Sequence, residues 1–185
     1  MSLVGFRAQN HPQQMTRPDV DDRALPQADF AELQARFDFT VDAAAAAHNA
    51  KLPRYFTAEQ NGLLQPWAGE RVYCNPPYSD IRPWVAKAWR EPRADLVVML
   101  LPANRTEQAW WQDFVEPFRD RIGSRLRVEF MNGRRRFLKP GQTFIAANER
   151  PPFGVCLLIW SWPDAHLAPA ASALQDNGLF SEINP

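Results

Sequence analysis

The stretch Val72-Tyr73-Cys74-Asn75-Pro76-Pro77-Tyr78-Ser79 predicts a strand, a rigid loop and the start of a helix, in that order. The apolar residues up to Cys74 are typical of a strand. Two consecutive prolines end it, because proline has no N–H to donate and fixes φ. Each proline also keeps the residue before it out of helical geometry. We therefore expect a stiff loop that presents the Asn75 side chain, the Pro76 carbonyl and the Tyr78 ring together.

A helix is predicted directly after this loop. Ser79 or Asp80 is placed to cap it, and Pro83 is tolerated in a first helical turn. Sites in open α/β sheets form at the carboxyl ends of strands, so this loop is the leading candidate for a functional site. The apolar face of the helix is predicted from the spacing of Ile81, Trp84, Val85 and Ala88.

The length of 185 residues is that of one domain with flanking segments. Residues 1–18 are rich in Gln, Asn and Pro without periodicity, which predicts a flexible N-terminal arm. Residues 19–160 are expected to form the folded domain. Residues 161–185 are rich in Pro and Ala and are expected to form a C-terminal tail that packs on the domain or trails from it.

Neither a membrane segment nor a signal peptide is predicted. The longest apolar run, Leu96–Leu101, is too short to cross a bilayer, and the N-terminus has no apolar core segment. Cys74 and Cys156 both lie in apolar, strand-like runs, so we expect buried free thiols, which suits a reducing cytoplasm. No metal site is predicted, because His48 has no partner ligands at a matching spacing.

The alternation of strand-like and helix-like segments predicts an α/β fold with a mainly parallel sheet and a late antiparallel hairpin. The buried strand Leu96–Leu101 fits a parallel sheet covered on both faces. The other predicted segments are a helix from Asp29, a strand over Phe39–Val41, hairpin arms Arg125–Phe130 and Arg135–Phe144 around Asn132-Gly133, and a last strand over Gly154–Trp160.

Asp42 and the alanine run Ala43–Ala47 have two interpretations. One is a strand that leads into an ordinary alanine helix, since alanine has the highest helix propensity. The other is a strand-end carboxylate at a cofactor site, followed by small residues that allow a ligand to approach the backbone. Nucleotide-binding loops usually carry glycine at such a place, and this one carries none.

The charge of the chain is zero overall but unevenly distributed. Between Asp120 and Lys139 there are seven basic and two acidic residues. A neutral protein with one basic face can bind a polyanion, because attraction depends on the local field. The arginines Arg134, Arg135 and Arg136 are therefore candidates for contact with nucleic-acid phosphates, although a solvated hairpin explains them equally well.

The loop Asn75-Pro76-Pro77-Tyr78 suits transfer chemistry on a planar amino group, such as N6 of adenine. The lone pair of such a nitrogen is delocalised, which makes it a poor nucleophile. An Asn oxygen and the Pro76 carbonyl can accept its two N–H groups and favour the positive charge that develops during attack. An aromatic ring after the prolines can stack on the base. The sulfonium methyl of S-adenosylmethionine would be the electrophile, and neither a metal nor a strong general base is required.

These residues match the (D/N/S)-P-P-(Y/F/W) motif of amino-methyltransferases. The chain as a whole resembles the phage-type DNA N6-adenine methyltransferases (the phage Dam family) from about Asp22 to Trp160. The supporting residues are Phe39–Ala44, Asn49–Lys51, Pro53–Thr57, Gly62-Leu63, Trp67, Arg71–Ser79, Trp84, Lys87-Ala88, Val97–Pro102, Trp110-Trp111, Phe130, Gly133-Arg134 and Phe137.

The resemblance implies a Rossmann-like methyltransferase fold, S-adenosylmethionine as methyl donor and DNA as partner. It also implies a bacterial or phage-infected cell as the place of action. Adenine would be flipped out of the duplex, because N6 is otherwise hidden in the major groove. By the same resemblance, Asn75 and the Pro76 carbonyl would hold N6, Pro77 would stiffen the loop, and Tyr78 would stack on the base. The cofactor residues would be Asp42, Ala43, Pro26 and Asn75.

Two departures from the family pattern lie on the cofactor side. The family usually has Trp-x-Thr-Pro upstream of the Phe39 strand, where this chain reads Arg23-Ala24-Leu25-Pro26, and it tends to have Asp where this chain has Asn61. Three alternatives stay open. The Asn75–Tyr78 loop would also serve an RNA base or a protein glutamine amide as acceptor, and the missing Trp-x-Thr-Pro residues leave open a catalytically lapsed DNA-binding relative. Cytosine N4 is disfavoured, because Ser usually replaces Asn in those enzymes.

Overall fold

The structure, a computed structural model, describes residues 21–145 and 153–162, and it contains a five-stranded sheet covered by helices. The arm predicted over residues 1–18 lies outside the described residues, as does the tail from residue 163 onward. The helices are α1 (Gln27–Phe37), α2 (Arg82–Arg90) and α3 (Ala109–Phe114), and the strands are β1 (Val41–Asp42), β2 (Arg71–Cys74), β3 (Leu96–Pro102), β4 (Leu126–Phe130) and β5 (Val155–Ser161).

The sheet has the strand order β1-β2-β3-β5-β4. The strand pairs β1–β2 and β2–β3 are parallel, whereas β5 runs antiparallel to both of its neighbours, β3 and β4. The predicted α/β class is confirmed. The parallel part, however, forms one end of the sheet, so that the described strands make as many antiparallel pairings as parallel ones.

The sheet is covered on both faces, and β3 is its centre. Every residue of β3 is buried, as expected for a strand with a layer on each side. Alternate β3 residues point to opposite faces. Val97 and Met99 pack with the apolar sides of α2 and α3. Val98 and Leu100 pack with the buried face of α1, which is formed by Phe30, Leu33 and Phe37.

The predicted late hairpin is only half correct. Its first arm is β4, but Arg135–Phe144 is not a strand, and β4 pairs with β5 instead, matching Phe130 with Cys156. Residues 131–154 form a long β4–β5 connection, which is held to the segment before α1 by an isolated bridge between Ala24 and Leu138. The apolar run of β5 supplies a better buried partner for β4 than the arginine-rich segment does.

Two local predictions are wrong for a shared reason, which is that tertiary bonds replace local ones. Residues 43–50, called the alanine loop below, are not helical, because the Ala43 N–H donates to the Tyr73 carbonyl and the Ala45 N–H to the Phe56 carbonyl. Neither Ser79 nor Asp80 caps α2. The N-cap residue is Ile81, and no side-chain capping bond is formed there.

The structure also bears on the two cysteines and on the presence of membrane-spanning helices. Cys74 and Cys156 are both buried and free, as the sequence predicts, and burial raises the pKa of each thiol. Within residues 21–145 and 153–162, no helix combines the length and the apolar character needed to span a bilayer.

Candidate active site

Asn75 lies directly after β2, and its amide is oriented by a backbone contact. The Asn75 Nδ2 group donates to the carbonyl of Arg23 at 2.7 Å. A carbonyl oxygen cannot donate, so the nitrogen must be the amide atom that faces Arg23. The Oδ1 atom is then buried, and it has no hydrogen-bond partner among the described residues. A buried acceptor without a donor is uncommon in folded proteins, which marks this oxygen as a place for a donor group to bind.

Asn75 to Ser79, called the motif loop below, is tied to its surroundings at several points. Pro76 is buried and Pro77 is half-buried. The Tyr78 carbonyl accepts a bond from Arg105 Nη1, and the Ser79 N–H donates to Asp21 Oδ1 at 2.9 Å. The loop is therefore held by both flanking segments as well as stiffened by its prolines.

The Tyr78 ring is buried, so the loop does not expose it as the sequence suggested, and its stacking role stays a prediction. The residue is only 6% exposed, and its hydroxyl donates to the Leu100 carbonyl at 3.3 Å. Burial raises the pKa of the phenol. The rings of Phe137 and Phe153 contact Tyr78 at centroid distances of 6.4 and 6.2 Å. The sequence identifies Tyr78 as an aromatic residue of the motif. It does not predict the contacts of Tyr78 with Phe137 and Phe153, because these two residues are distant from it along the chain.

Asp42 ends β1 and is a buried carboxyl group, with 2% exposure. It accepts the Lys51 N–H at 3.0 Å and the Ala44 N–H at 3.4 Å. Burial raises the pKa of Asp42 to about 6, in spite of these two bonds, which lower it. A carboxylate has room for about four hydrogen bonds, so a buried one with two N–H donors can still accept a cationic group.

A cavity of about 490 Å³ lies between the motif loop and the alanine loop. Its walls are mostly apolar, with Phe56 and Trp84 among them, and acidic side chains stand at one side. A second, polar cavity of about 20 Å³ adjoins it, because Asn75 and Asp21 line both. The large cavity is lined by Asp21, Asp22, Ala43, Ala44, Ala45, Ala46, Asn49, Phe56, Thr57, Ala58, Asn61, Gly62, Asn75, Pro77 and Trp84.

Gly62 allows two backbone segments in the wall of this cavity to approach each other closely. A Cβ atom at this position would lie 2.0 Å from the Ala43 carbonyl oxygen and 3.2 Å from the Trp84 ring. The preceding Asn61 has a φ of 52°, and its Oδ1 accepts the Leu63 N–H at 3.1 Å. The Asn61-Gly62 turn is therefore part of the wall of the large cavity.

Three of the four predicted cofactor residues line a cavity, and the fourth, Pro26, does not. Ala43 and Asn75 line the large cavity, and Asp42 lines the small one beside it. Pro26 lines neither cavity; it lies at the N-terminal end of α1, where its carbonyl accepts the Phe30 N–H at 3.0 Å. Its position therefore indicates a structural role in starting α1.

The three candidate arginines lie on the β4–β5 connection, at the sheet edge where the motif loop also lies. Arg135 is turned inward, and it forms ion pairs with Asp29 at 3.2 Å and Glu32 at 3.7 Å on α1. Arg134 is exposed and Arg136 is half-buried. Arg135 is therefore held against α1, and contact of Arg134 and Arg136 with DNA stays a prediction.

Sequence reasoning missed most of the cavity wall opposite the motif loop. Some residues of this wall carry no recognisable spacing. Phe56 and Thr57 reach the wall through backbone bonds between residues 42–45 and 54–56, whereas Asp21 and Asp22 reach it through their bonds to Ser79 and Asn49. Trp84 had a sequence signal, but its helical spacing pointed to the core. Across residues 21–145 and 153–162, no group of three or more His, Cys, Asp or Glu side chains could hold a metal ion.

Comparison with known proteins shows which family the chain belongs to. A DNA N-6-adenine-methyltransferase of Haemophilus phage HP1 (strain HP1c1) is 38% identical to this chain over 74 residues. The matched segment covers 39% of this chain and 43% of the phage protein. The family model described as DNA N-6-adenine-methyltransferase (Dam) matches residues 13–160, which include both cavities and the motif loop. The chain belongs to the Dam family of DNA N-6-adenine-methyltransferases.

Proposed function

We propose that this protein transfers a methyl group from S-adenosylmethionine to the N6 amino group of adenine in DNA. The observation that carries the proposal is the buried Asn75 Oδ1, an acceptor at the edge of a cavity that receives no donor from residues 21–145 and 153–162. Family membership supports the same reaction.

The acceptor side of the reaction follows from the motif loop. Asn75 Oδ1 would accept one N–H of the adenine amino group, and the Pro76 carbonyl would accept the other. These bonds stabilise positive charge on the nitrogen as it forms its new bond to carbon, and they are in place before the reaction begins. One amino proton must leave the nitrogen afterwards, and water at the small polar cavity is a suitable acceptor for it.

The donor side fits the two cavities. S-adenosylmethionine, when bound, supplies an electrophilic methyl group on a sulfonium ion. The Asp42 carboxylate would bind its amino group, and Ala43 with the rest of the alanine loop would allow close approach to the backbone. Phe56 and Trp84 supply apolar surface of the kind that nucleoside-sized ligands contact.

Access of the base requires a local rearrangement. For Tyr78 to stack on a flipped adenine, the Phe137 and Phe153 rings must give up their contacts with it. Both rings come from the β4–β5 connection, which also carries Arg134 and Arg136. DNA phosphates that bind to this connection would therefore contact the same segment whose phenylalanine rings cover Tyr78.

The proposal extends to the whole chain. Residues 19–160 would form a Rossmann-like S-adenosylmethionine-dependent methyltransferase domain, which the parallel strands β1, β2 and β3 and the helices on both faces support. Residues 1–18 would form an N-terminal arm and residues 161–185 a C-terminal tail. The reaction would take place in the cytoplasm of a bacterial or phage-infected cell.

Labelled donor tests the acceptor class directly. The protein is incubated with S-adenosyl-[methyl-³H]methionine and, separately, DNA, RNA and a protein mixture. Label in DNA is the expected result. Label only in RNA or in protein would assign the acceptor to another planar amine. Binding of S-adenosylhomocysteine in calorimetry without label in any acceptor would contradict transfer and favour a lapsed relative.

A further inference from the structure

Residues 21–24, called the strap below, cross between the two walls of the large cavity and bond to both. Asp21 accepts bonds from the Ser79 N–H at 2.9 Å and from the Ser79 hydroxyl at 2.5 Å. The next ties are the contact between Arg23 and Asn75 and the bridge between Ala24 and Leu138. The strap therefore contacts both ends of the motif loop, which are Asn75 and Ser79.

The opposite wall is tied through the adjacent aspartate. Asp22 accepts Asn49 Nδ2 at 2.6 Å, and its carboxylate lies 2.8 Å from His48 Nε2. The Asn49 side chain continues the connection, because its Oδ1 accepts the Ala46 N–H at 2.7 Å. Ala46 and Asn49 both line the cavity. Two neighbouring residues of the strap thus hold the two loops between which the donor would lie.

We propose that Asp21 and Asp22 are positioning residues for methyl transfer, Asp21 for the motif loop and Asp22 for the alanine loop. The inference rests on the proposed function and adds to it a pair of side chains that act through others. By joining the cavity walls, they fix the distance from the acceptor clamp at Asn75 to the donor. An error of about 1 Å in such a distance can cost about a hundredfold in rate.

A double-mutant cycle on Asp21 and Ser79 tests the first half. Asp21→Ala is expected to lower kcat about tenfold to a hundredfold, with a smaller change in the KM for S-adenosylmethionine. Ser79→Ala keeps the backbone bond to Asp21 and is expected to lose less. Because both substitutions break one contact, the double variant should be no slower than Asp21→Ala alone. Additive losses in kcat would overturn the proposal.

Asp80→Ala is the matched control, since Asp80 is an exposed aspartate directly after Ser79. It should keep the kcat of the wild type. Equal losses of kcat in Asp80→Ala and Asp21→Ala would overturn the proposal. So would a loss in Asp21→Ala that is fully explained by a smaller folded fraction at the assay temperature, as read from thermal unfolding.

The second half is read from binding, so it does not depend on activity. Asp22→Ala should weaken the affinity for S-adenosylhomocysteine about tenfold relative to Asp80→Ala, because the alanine loop loses its tie through Asn49. Unchanged affinity would overturn the role of Asp22. A wild-type protein that binds S-adenosylhomocysteine but methylates no acceptor would refute the proposed function, while this binding comparison would still decide the role of the strap.

Discussion

At the scale of single residues, the candidate site contains two buried oxygen acceptors, the amide oxygen of Asn75 and the carboxyl group of Asp42. Asn75 Oδ1 is held open because the other end of the amide is fixed by Arg23. Asp42 is buried with two backbone donors among the described residues, and burial raises its pKa. Both residues could be predicted from the motif and from the strand end. The carbonyl of Arg23 could not, because it is 52 residues away from Asn75.

Asp42 predicts how donor binding depends on pH. Its pKa in the folded protein is about 6, and a bound ammonium group needs the carboxylate form. The affinity for S-adenosylhomocysteine should therefore fall as the pH drops below about 6, approaching tenfold per pH unit. Calorimetry from pH 5 to 8 measures this. Asp42→Asn should bind more weakly at pH 8 and show a flatter profile; an equally steep profile in this variant would contradict the assignment.

The same carboxyl group predicts a pH dependence of stability in the absence of ligand. Its pKa is raised on folding from 3.8 to about 6, so the folded state binds the proton more tightly. Stability from this group is full below pH 3.8 and is lost as the pH rises to about 6, by about 3 kcal/mol. The free energy of unfolding of Asp42→Asn, measured in urea, should lack this decrease. A parallel decrease in both proteins would refute it.

At the scale of elements, the alanine loop shows how tertiary contacts override propensity. The run Ala43–Ala47 favours a helix, but its N–H groups bond to Tyr73 and Phe56 in neighbouring segments. The result is a loop with small side chains that lines a cavity, so the interpretation as an alanine helix is wrong, and the cofactor site stays a prediction. The long strands β3 and β5 were predictable from their apolar runs, because burial decides their structure.

Gly62→Ala is the sharpest test of this loop packing. The new methyl group would lie 2.0 Å from the Ala43 carbonyl oxygen, so either the alanine loop or residues 57–62 must move. We expect a loss of about 1–3 kcal/mol in unfolding free energy and a weaker affinity for S-adenosylhomocysteine.

Gly154→Ala is the matched control for Gly62→Ala, because a Cβ atom there meets nothing within 4 Å. It should change neither the stability nor the binding measurably. If Gly62→Ala behaves in the same way in calorimetry and urea unfolding, the close approach between residue 62 and Ala43 does not form the cavity wall.

At the scale of the whole molecule, charge and topology bring the basic segment to the motif loop. The net charge is zero, yet the β4–β5 connection carries a run of three arginines at the edge where β2 ends. The arginine run is visible in the sequence, but the hairpin predicted around it is wrong. Local spacing cannot show that β5 inserts between β3 and β4. Strand pairing across the chain is set by burial of β5, and local spacing does not report it.

The arginines are expected to differ in their effects on DNA binding. Arg134→Ala and Arg136→Ala should each weaken binding and lower the slope of log affinity against log salt by about 1. Arg135→Ala should instead cost up to about 1 kcal/mol of stability, because its ion pair with Asp29 on α1 is half-buried. Fluorescence anisotropy from 50 to about 200 mM salt measures the slopes. An Arg135→Ala slope that falls as far as the other two would contradict this assignment.

The most direct test of the central claim is the identity of the methylated nucleoside. DNA incubated with S-adenosylmethionine and either the wild-type protein or Asn75→Ala is digested to nucleosides and analysed by mass spectrometry. The wild type should produce N6-methyl-2′-deoxyadenosine. Asn75→Ala should produce about a hundredfold less or lower still, while thermal unfolding shows that it stays folded at the assay temperature. Equal yields of N6-methyl-2′-deoxyadenosine from both proteins, or a methylated nucleoside other than this one, would contradict the account.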